Sequence, residues 1–174
     1  MSVHNLVLIG FMGTGKSSVG RLCARQLGYR FRDSDVEIER RTGCSIAQFF
    51  ADHGEAAFRQ IECAVIAELA RGSGQVIATG GGAVLLEENV HALRATGFVV
   101  LLTATPEVIW QRVGRSHKRP LLAGTPDPLT RIRELLATRE PCYARAADLQ
   151  VDTCGLTREA VVERVLAAYR EHRK

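Results

Sequence analysis

The run Leu6-Val7-Leu8-Ile9, followed at once by Gly10-Phe11-Met12-Gly13-Thr14-Gly15-Lys16-Ser17, constrains this chain more than any other feature. The second segment fits G-x-x-x-x-G-K-[ST] throughout. After it, Ser17 to Leu27 places Val19, Leu22, Cys23 and Leu27 on one face at helical spacing. Strand, glycine loop and helix in that order make a polyphosphate cradle. Glycines let successive N–H groups turn inward, the helix points its positive end at the same place, a lysine reaches the β- and γ-phosphates, and a serine hydroxyl suits Mg²⁺. Gly13, Thr14, Gly15, Lys16, Ser17 and Ser18 are therefore candidate nucleotide-binding residues, and Ser17 a candidate metal ligand.

Beyond the loop, apolar runs alternate with helical-period segments, which predicts an α/β chain with a parallel sheet and crossover helices. Strands are expected at Tyr29–Arg32 ending on Asp33, at Gln75–Ala78, at Phe98–Leu102 and at Leu149–Val151. Ser34 with Glu37 three residues later has the form of a capping box, predicting a helix from Ser34 to near Gly43. Ser45 with Gln48 repeats the device. Further helices are expected over Glu55–Ala70, Glu87–Ala95, Thr130–Ala144 and the segment carrying Val161, Val162, Val165, Leu166 and Tyr169. Another opens at Thr105-Pro106 and runs through Arg112. About 15 aperiodic residues from Gly114 to Pro128, rich in proline and glycine, predict a mobile lid, since unstructured loops of that length are usually functional.

At 174 residues and 46% apolar content, the chain suits a single domain, 1–174. Its apolar runs are strand-sized, short of the roughly 20 residues that span a bilayer. The N-terminus lacks the form of a signal peptide. The five cysteines are scattered without a C-x-x-C pair, as expected of reduced thiols in a cytoplasmic protein. A net charge of +4 comes with dispersed arginines and no basic run. That pattern favours a cleft for phosphates and carboxylates over a nucleic-acid surface, with neither nucleic acid nor membrane as a partner.

A phosphate loop does not by itself name a reaction. Neither Asn5 nor Asn89 begins the N-K-x-D motif of a guanine-reading switch, and the strands at Gln75–Ala78 and Phe98–Leu102 run into Thr79 and Thr103 instead of the acidic residue usual in motor ATPases. Instead Asp33 and Asp35 lie at the end of an early strand, on the edge where open α/β sheets bind ligands. One carboxylate can face a metal or its water, the other an acceptor hydroxyl. Alone, the pair would read equally well as the charged start of a helix.

Several ordered segments then acquire a common meaning. Gly10-x-Met12-Gly13-x-Gly15-Lys16-Ser17 with Gly20, Phe31-x-Asp33-Ser34-Asp35-x-x-Ile38, Thr42-Gly43-x-Ser45-Ile46 and Phe49-x-x-x-Gly54-Glu55-x-x-Phe58-Arg59-x-x-Glu62 resemble the shikimate kinases. So do Thr79-Gly80-Gly81-Gly82, Arg119-Pro120-Leu121-Leu122 and Arg139-x-x-x-Tyr143, and the likeness covers nearly the whole chain. The resemblance implies a P-loop NTPase of the nucleoside-monophosphate-kinase-like type, a five-stranded parallel sheet flanked by helices. It implies transfer of the ATP γ-phosphoryl to the 3-hydroxyl of shikimate, with Mg²⁺, in the pathway to chorismate and the aromatic amino acids.

By position, Asp35 is the implied base and substrate ligand, Arg59 and Arg139 the clamp on the substrate carboxylate, and Gly80, Gly81 and Gly82 the backbone against its ring hydroxyls. Asp33 would support Mg²⁺. Arg119 would close over the phosphates beside Lys16, and Arg112 would lie against the adenine, with Asp152-Thr153-Cys154 resembling the loop on its other side. Trp110 reads as packing. The expected partners are ATP and shikimate, bound by a monomer. The alternatives are another small-metabolite P-loop kinase such as a gluconate kinase, or a non-catalytic ATP-binding module.

Overall fold

The computed structural model describes residues 4–114 and 126–173. Five strands, β1 (Asn5–Ile9), β2 (Arg30–Asp33), β3 (Gln75–Ala78), β4 (Gly97–Thr103) and β5 (Leu149–Asp152), form one parallel sheet in the order β2-β3-β1-β4-β5. Around it lie α1 (Lys16–Leu27), α2 (Ser34–Thr42), α3 (Ile46–Arg71), α4 (Glu87–Thr96), α5 (Pro106–Val113), α6 (Pro128–Ala146) and α7 (Arg158–His172), with a 3₁₀ turn over Ala83–Leu85.

The unbroken apolar run of β1 follows from burial on both faces. Leu6 and Leu8 enter a core layer with Val19 and Cys23 of α1 and Val162, Leu166 and Tyr169 of α7. Val7 and Ile9 point the other way, into a layer with Val65 and Ile66 of α3, Leu93 of α4 and Tyr143 of α6. Each such side chain contributes about 2 kcal/mol by leaving water. Cys23 belongs to this core, and burial pushes its thiol up to about 12, which leaves it an inert hydrophobe at neutral pH.

The expected strands and helices all appear within the described residues, with differences at their ends. The capping box at Ser34 is not what forms: Asp33 is the N-cap of α2, its Oδ1 accepting the Asp35 N–H at 3.1 Å. Ser45 and Thr105 cap α3 and α5 as expected. α3 carries a non-helical residue at Gly54, so the two helices expected there meet at that break. α6 begins earlier than expected, with Asp127 as N-cap and Pro128 in its first turn, so the carboxyl end of the expected lid belongs to the helix. Residues 115–125, most of that lid, lie outside the described residues.

Asn5, fully buried at the start of β1, was not singled out in the sequence. Its Nδ2 donates to the Gly72 carbonyl at 2.7 Å and its Oδ1 accepts the Gln75 N–H at 3.1 Å, tying β1 to the turn before β3. Asn5→Ala strands both groups away from water and is expected to destabilise the fold by about 2 kcal/mol. An unshifted urea midpoint would show this tie to be dispensable.

Candidate active site

Because all five strands are parallel, their carboxyl ends open on one edge, where Gly10, Ser34, Thr79 and Thr153 begin the connections. The phosphate loop leaves β1 through Gly10, held at φ +138°, where a Cβ would sit 2.3 Å from the Leu102 carbonyl oxygen, so no other residue fits that turn. Gly15 then caps α1 with no side-chain hydrogen bond, and no acidic residue occupies the first turn, so the positive end of α1 stays available to an anion.

Lys16 curls over the loop, Nζ donating to the Gly10 and Phe11 carbonyls at 2.7 and 2.8 Å. The Thr14 hydroxyl turns inward to the Phe11 carbonyl at 2.8 Å and that of Ser18 to the Gly15 carbonyl at 3.0 Å. Both therefore brace the loop, and what they offer a nucleotide is backbone. The Ser17 hydroxyl reaches outward, donating to Asp33 Oδ2 at 2.7 Å. With Oδ1 on the Asp35 amide, Asp33 joins the phosphate loop to the start of α2.

Glycine at 80 and 82 is explained by what a side chain there would meet. A Cβ at Gly80 would meet Asp35 Oδ1 at 2.6 Å and Glu62 Oε1 at 3.3 Å; one at Gly82 would meet the Arg59 guanidinium nitrogens at 2.7 and 2.8 Å. At Gly81 it would stand 3.5 Å from Arg139 Nη1, 3.5 Å from the Met12 nitrogen and 3.6 Å from the Gly10 oxygen. The glycine segment thus has Asp35 beside Gly80, Arg59 beside Gly82, and both Arg139 and the phosphate loop beside Gly81. α2, α3 and α6 each bring one of these residues to a single place, although they are far apart in sequence.

Glu62 is the member of this cluster to which the sequence assigned no role. It is almost wholly buried and accepts from Arg59 Nη1 at 2.6 Å. Burial pushes its carboxyl above the usual carboxylate range, while the charges of Arg59 and Arg139 and the Arg59 hydrogen bond pull it part of the way back. For Arg59, burial favours proton loss, but the charge and hydrogen bond of Glu62 outweigh it, so the guanidinium stays charged and aimed. A signal existed: Glu62 shares the buried stripe of Phe58, Val65, Ile66 and Leu69, where an unpaired carboxylate would be prohibitive, and Arg59 stands three residues before it. Arg139 is also buried, its guanidinium 5.5 Å from the Phe11 ring centroid, which offers its electron-rich face.

On the other side of the loop, Arg112 Nη1 donates to the Gly13 carbonyl at 3.1 Å and to Thr153 Oγ1 at 3.0 Å, and Nη2 to the Thr153 carbonyl at 3.3 Å. The guanidinium therefore bridges the phosphate loop and the turn after β5, so Arg112 and Asp152-Thr153-Cys154, the two expected flanks of an adenine, are in direct contact. Asp152 Oδ1 accepts the Cys154 N–H there, which holds the Asp152 carboxyl below its usual range. Trp110 packs against a small core of Phe11, Ile109, Val113 and Ile132. Arg119 lies outside the described residues.

A family model for shikimate kinase matches residues 12–170. A shikimate kinase of Symbiobacterium thermophilum is 48% identical over 169 residues, covering 96% of this chain and 97% of that protein. The structure of a shikimate kinase from Acinetobacter baumannii in complex with shikimate superposes with a TM-score of 0.93 at 38% identity, covering 97% of this chain and 94% of that one. A Sinorhizobium meliloti gluconokinase structure, at 17% identity and a TM-score of 0.58, shares the fold alone. With a full-length match in sequence and in fold, the chain belongs to the shikimate kinase family.

Proposed function

We infer that the edge carrying Lys16, Asp35, Arg59 and Arg139 transfers the γ-phosphoryl of ATP to the 3-hydroxyl of shikimate, giving shikimate 3-phosphate and ADP. ATP-dependent phosphorylation of shikimate, a step of aromatic amino-acid biosynthesis, is the activity of the family to which the chain belongs. One observation carries the assignment of roles: the glycine segment has Asp35 beside Gly80, Arg59 beside Gly82 and Arg139 beside Gly81, and a Cβ added at Gly81 would also touch the phosphate-loop backbone at Gly10 and Met12. An acidic metabolite clamped by the arginines would then have a hydroxyl between Asp35 and the terminal phosphate.

In this reading the amides of Gly13 to Ser18 and the Lys16 ammonium hold the phosphates, with Lys16 exchanging its carbonyl contacts for phosphate oxygens. Arg59 and Arg139 grip the substrate carboxylate with charge-assisted, potentially bidentate contacts, favouring an acid over a neutral polyol. Asp35 orients the hydroxyl and takes its proton as the oxygen bonds to the γ-phosphorus and the bond to the β-γ bridging oxygen breaks. Arg112 faces the adenine, and Arg119 is assigned to add positive charge over the phosphates.

Ser17 Oγ and Asp33 Oδ2 are hard oxygen donors 2.7 Å apart at the loop, the donor set that suits Mg²⁺, which keeps most of its shell as water and phosphate oxygen. When bound, the ion neutralises charge on the phosphate oxygens.

We also propose that residues 1–174 act as one domain and as a monomer in the cytoplasm. Support comes from a site assembled within one chain and from five unpaired cysteines, which suit a reducing compartment. No helix of the described residues is long and apolar enough to cross a membrane. A solution mass of twice the chain's 19.1 kDa would overturn the monomer.

The deciding experiment is ADP release from ATP with shikimate, with gluconate and with neither. Release only with shikimate is expected. A nucleotide-binding module without catalysis would bind ATP and release nothing in any arm, and release with gluconate instead would reassign the acceptor.

A further inference from the structure

A side chain at Gly80 or Gly82 would meet Asp35 or Arg59, so the placement of this backbone sets how near those groups stand to it. Its own turn fixes part of that placement: the Gly80 carbonyl accepts the Ala83 N–H and the Gly82 carbonyl the Leu85 N–H, both at 3.1 Å. Two further bonds come from side chains remote in sequence.

The first is Ser34, fully buried in the opening turn of α2. Its hydroxyl is not spent on the helix end, which Asp33 caps; instead Oγ accepts the Gly80 N–H at 2.9 Å. β2 and β3 pair as far as Asp33 with Ala78, so this contact adds one side-chain rung beyond the last backbone pair. The rung joins the residue before Asp35 to the glycine that Asp35 crowds.

The second is Tyr143 on α6, whose hydroxyl donates to the Gly81 carbonyl at 2.6 Å. The side chain is buried, and burial pushes the phenol up to about 12, so it remains a protonated donor throughout the neutral range. Tyr143 stands one helical turn after Arg139, whose guanidinium lies beside the same Gly81. Each hydroxyl thus ties the glycine backbone to the helix carrying one of the groups assigned to substrate.

We propose that Ser34 and Tyr143 are positioning residues for the phosphoryl acceptor: Ser34 sets the spacing between the glycine segment and Asp35, and Tyr143 the spacing between that segment and Arg139. Neither touches the reacting atoms. The inference rests on the reading of Gly80–Gly82 as the acceptor's seat. Two different kinetic signatures follow. Loosening Asp35 disturbs the attacking oxygen and appears in kcat, since a displacement of about 1 Å at the chemistry can cost on the order of 100-fold. Loosening Arg139 weakens a contact made equally in ground and transition states, so it appears in KM.

The test is steady-state kinetics of Ser34→Ala and Tyr143→Phe in the full chain. It is paired with the rise in Tm that saturating shikimate and saturating ADP each give over the same variant's own unliganded Tm, which cancels any general loss of stability. Ser34→Ala is expected to lower kcat roughly 10- to 100-fold with little change in KM for ATP. Tyr143→Phe is expected to raise KM for shikimate about 10-fold and shrink the shikimate-induced Tm rise, leaving the ADP-induced rise intact. Shikimate kinetics within about twofold of the parent in both variants, or equal weakening of both co-substrates, would overturn the proposal. Should Ser34→Ala fail to fold, Tyr143→Phe decides alone. An unmodified chain showing no shikimate-dependent ADP release would remove the underlying reading and this inference together, whereas a responsive chain with unaffected variants removes only the inference.

Discussion

Asp35→Asn is expected to lower kcat by roughly 10²- to 10⁴-fold, the range set by losing a positioned general base. The substitution keeps shape and volume, so the contact with Gly80 that a Cβ would meet at 2.6 Å survives sterically. The amide of residue 35 still donates to Asp33 Oδ1, so the start of α2 is unchanged. What is lost is a group that can accept the acceptor's proton and a negative charge beside Arg59 and Arg139. ATP affinity, read by nucleotide titration, is expected to stay within about threefold, because the loop amides, Lys16 and Ser17 are untouched. Turnover near that of the unmodified chain would remove Asp35 from its role, and a matching fall in ATP affinity would recast it as part of the nucleotide site.

Which parts of this site are legible in sequence follows from how local their causes are. The phosphate loop is contiguous, and its glycines, lysine and serine have one joint explanation, so the structure adds only that Thr14 and Ser18 turn their hydroxyls inward. The sheet was legible because buried parallel strands leave unbroken apolar runs, β1 and β4 above all. The cap of α2 was misread by one residue. Aspartate and serine are comparable N-caps, and the contact that decides between them lies 46 residues away, where the Gly80 N–H takes the serine hydroxyl. Asp127-Pro128 reads as loop because the prolines at 126 and 128 on either side of Asp127 hide a normal helix start.

Asp35, Arg59 and Arg139 had to be gathered by resemblance, since no spacing rule brings α2, α3 and α6 to one point. Once gathered, the physics is plain. A half-buried guanidinium at Arg59 and a buried one at Arg139 need counter-charge, and Glu62 supplies part of it from the apolar face of its own helix.

The arginine nearer the phosphate loop carries the second large effect. Arg139→Ala is expected to raise KM for shikimate roughly 30- to 1,000-fold, since removing one partner of a buried charge-assisted contact costs about 2–4 kcal/mol. KM for ATP should rise far less. Arg139 is buried over the Phe11 ring, so its side chain cannot swing into solvent and be replaced by a neighbour. Arg59 stays charged but already directs hydrogen bonds to Glu62 and Glu55. Two controls isolate the carboxylate contact. Arg139→Lys keeps a charge without the planar fork and should fall between the parent and the alanine variant if the grip is bidentate. The methyl ester of shikimate, which offers no carboxylate, should bind the parent weakly and lose little more on going to Arg139→Ala. Equal increases in KM for both co-substrates, or an ester as sensitive to the substitution as the acid, would show that Arg139 holds the phosphates or the fold and not the acid.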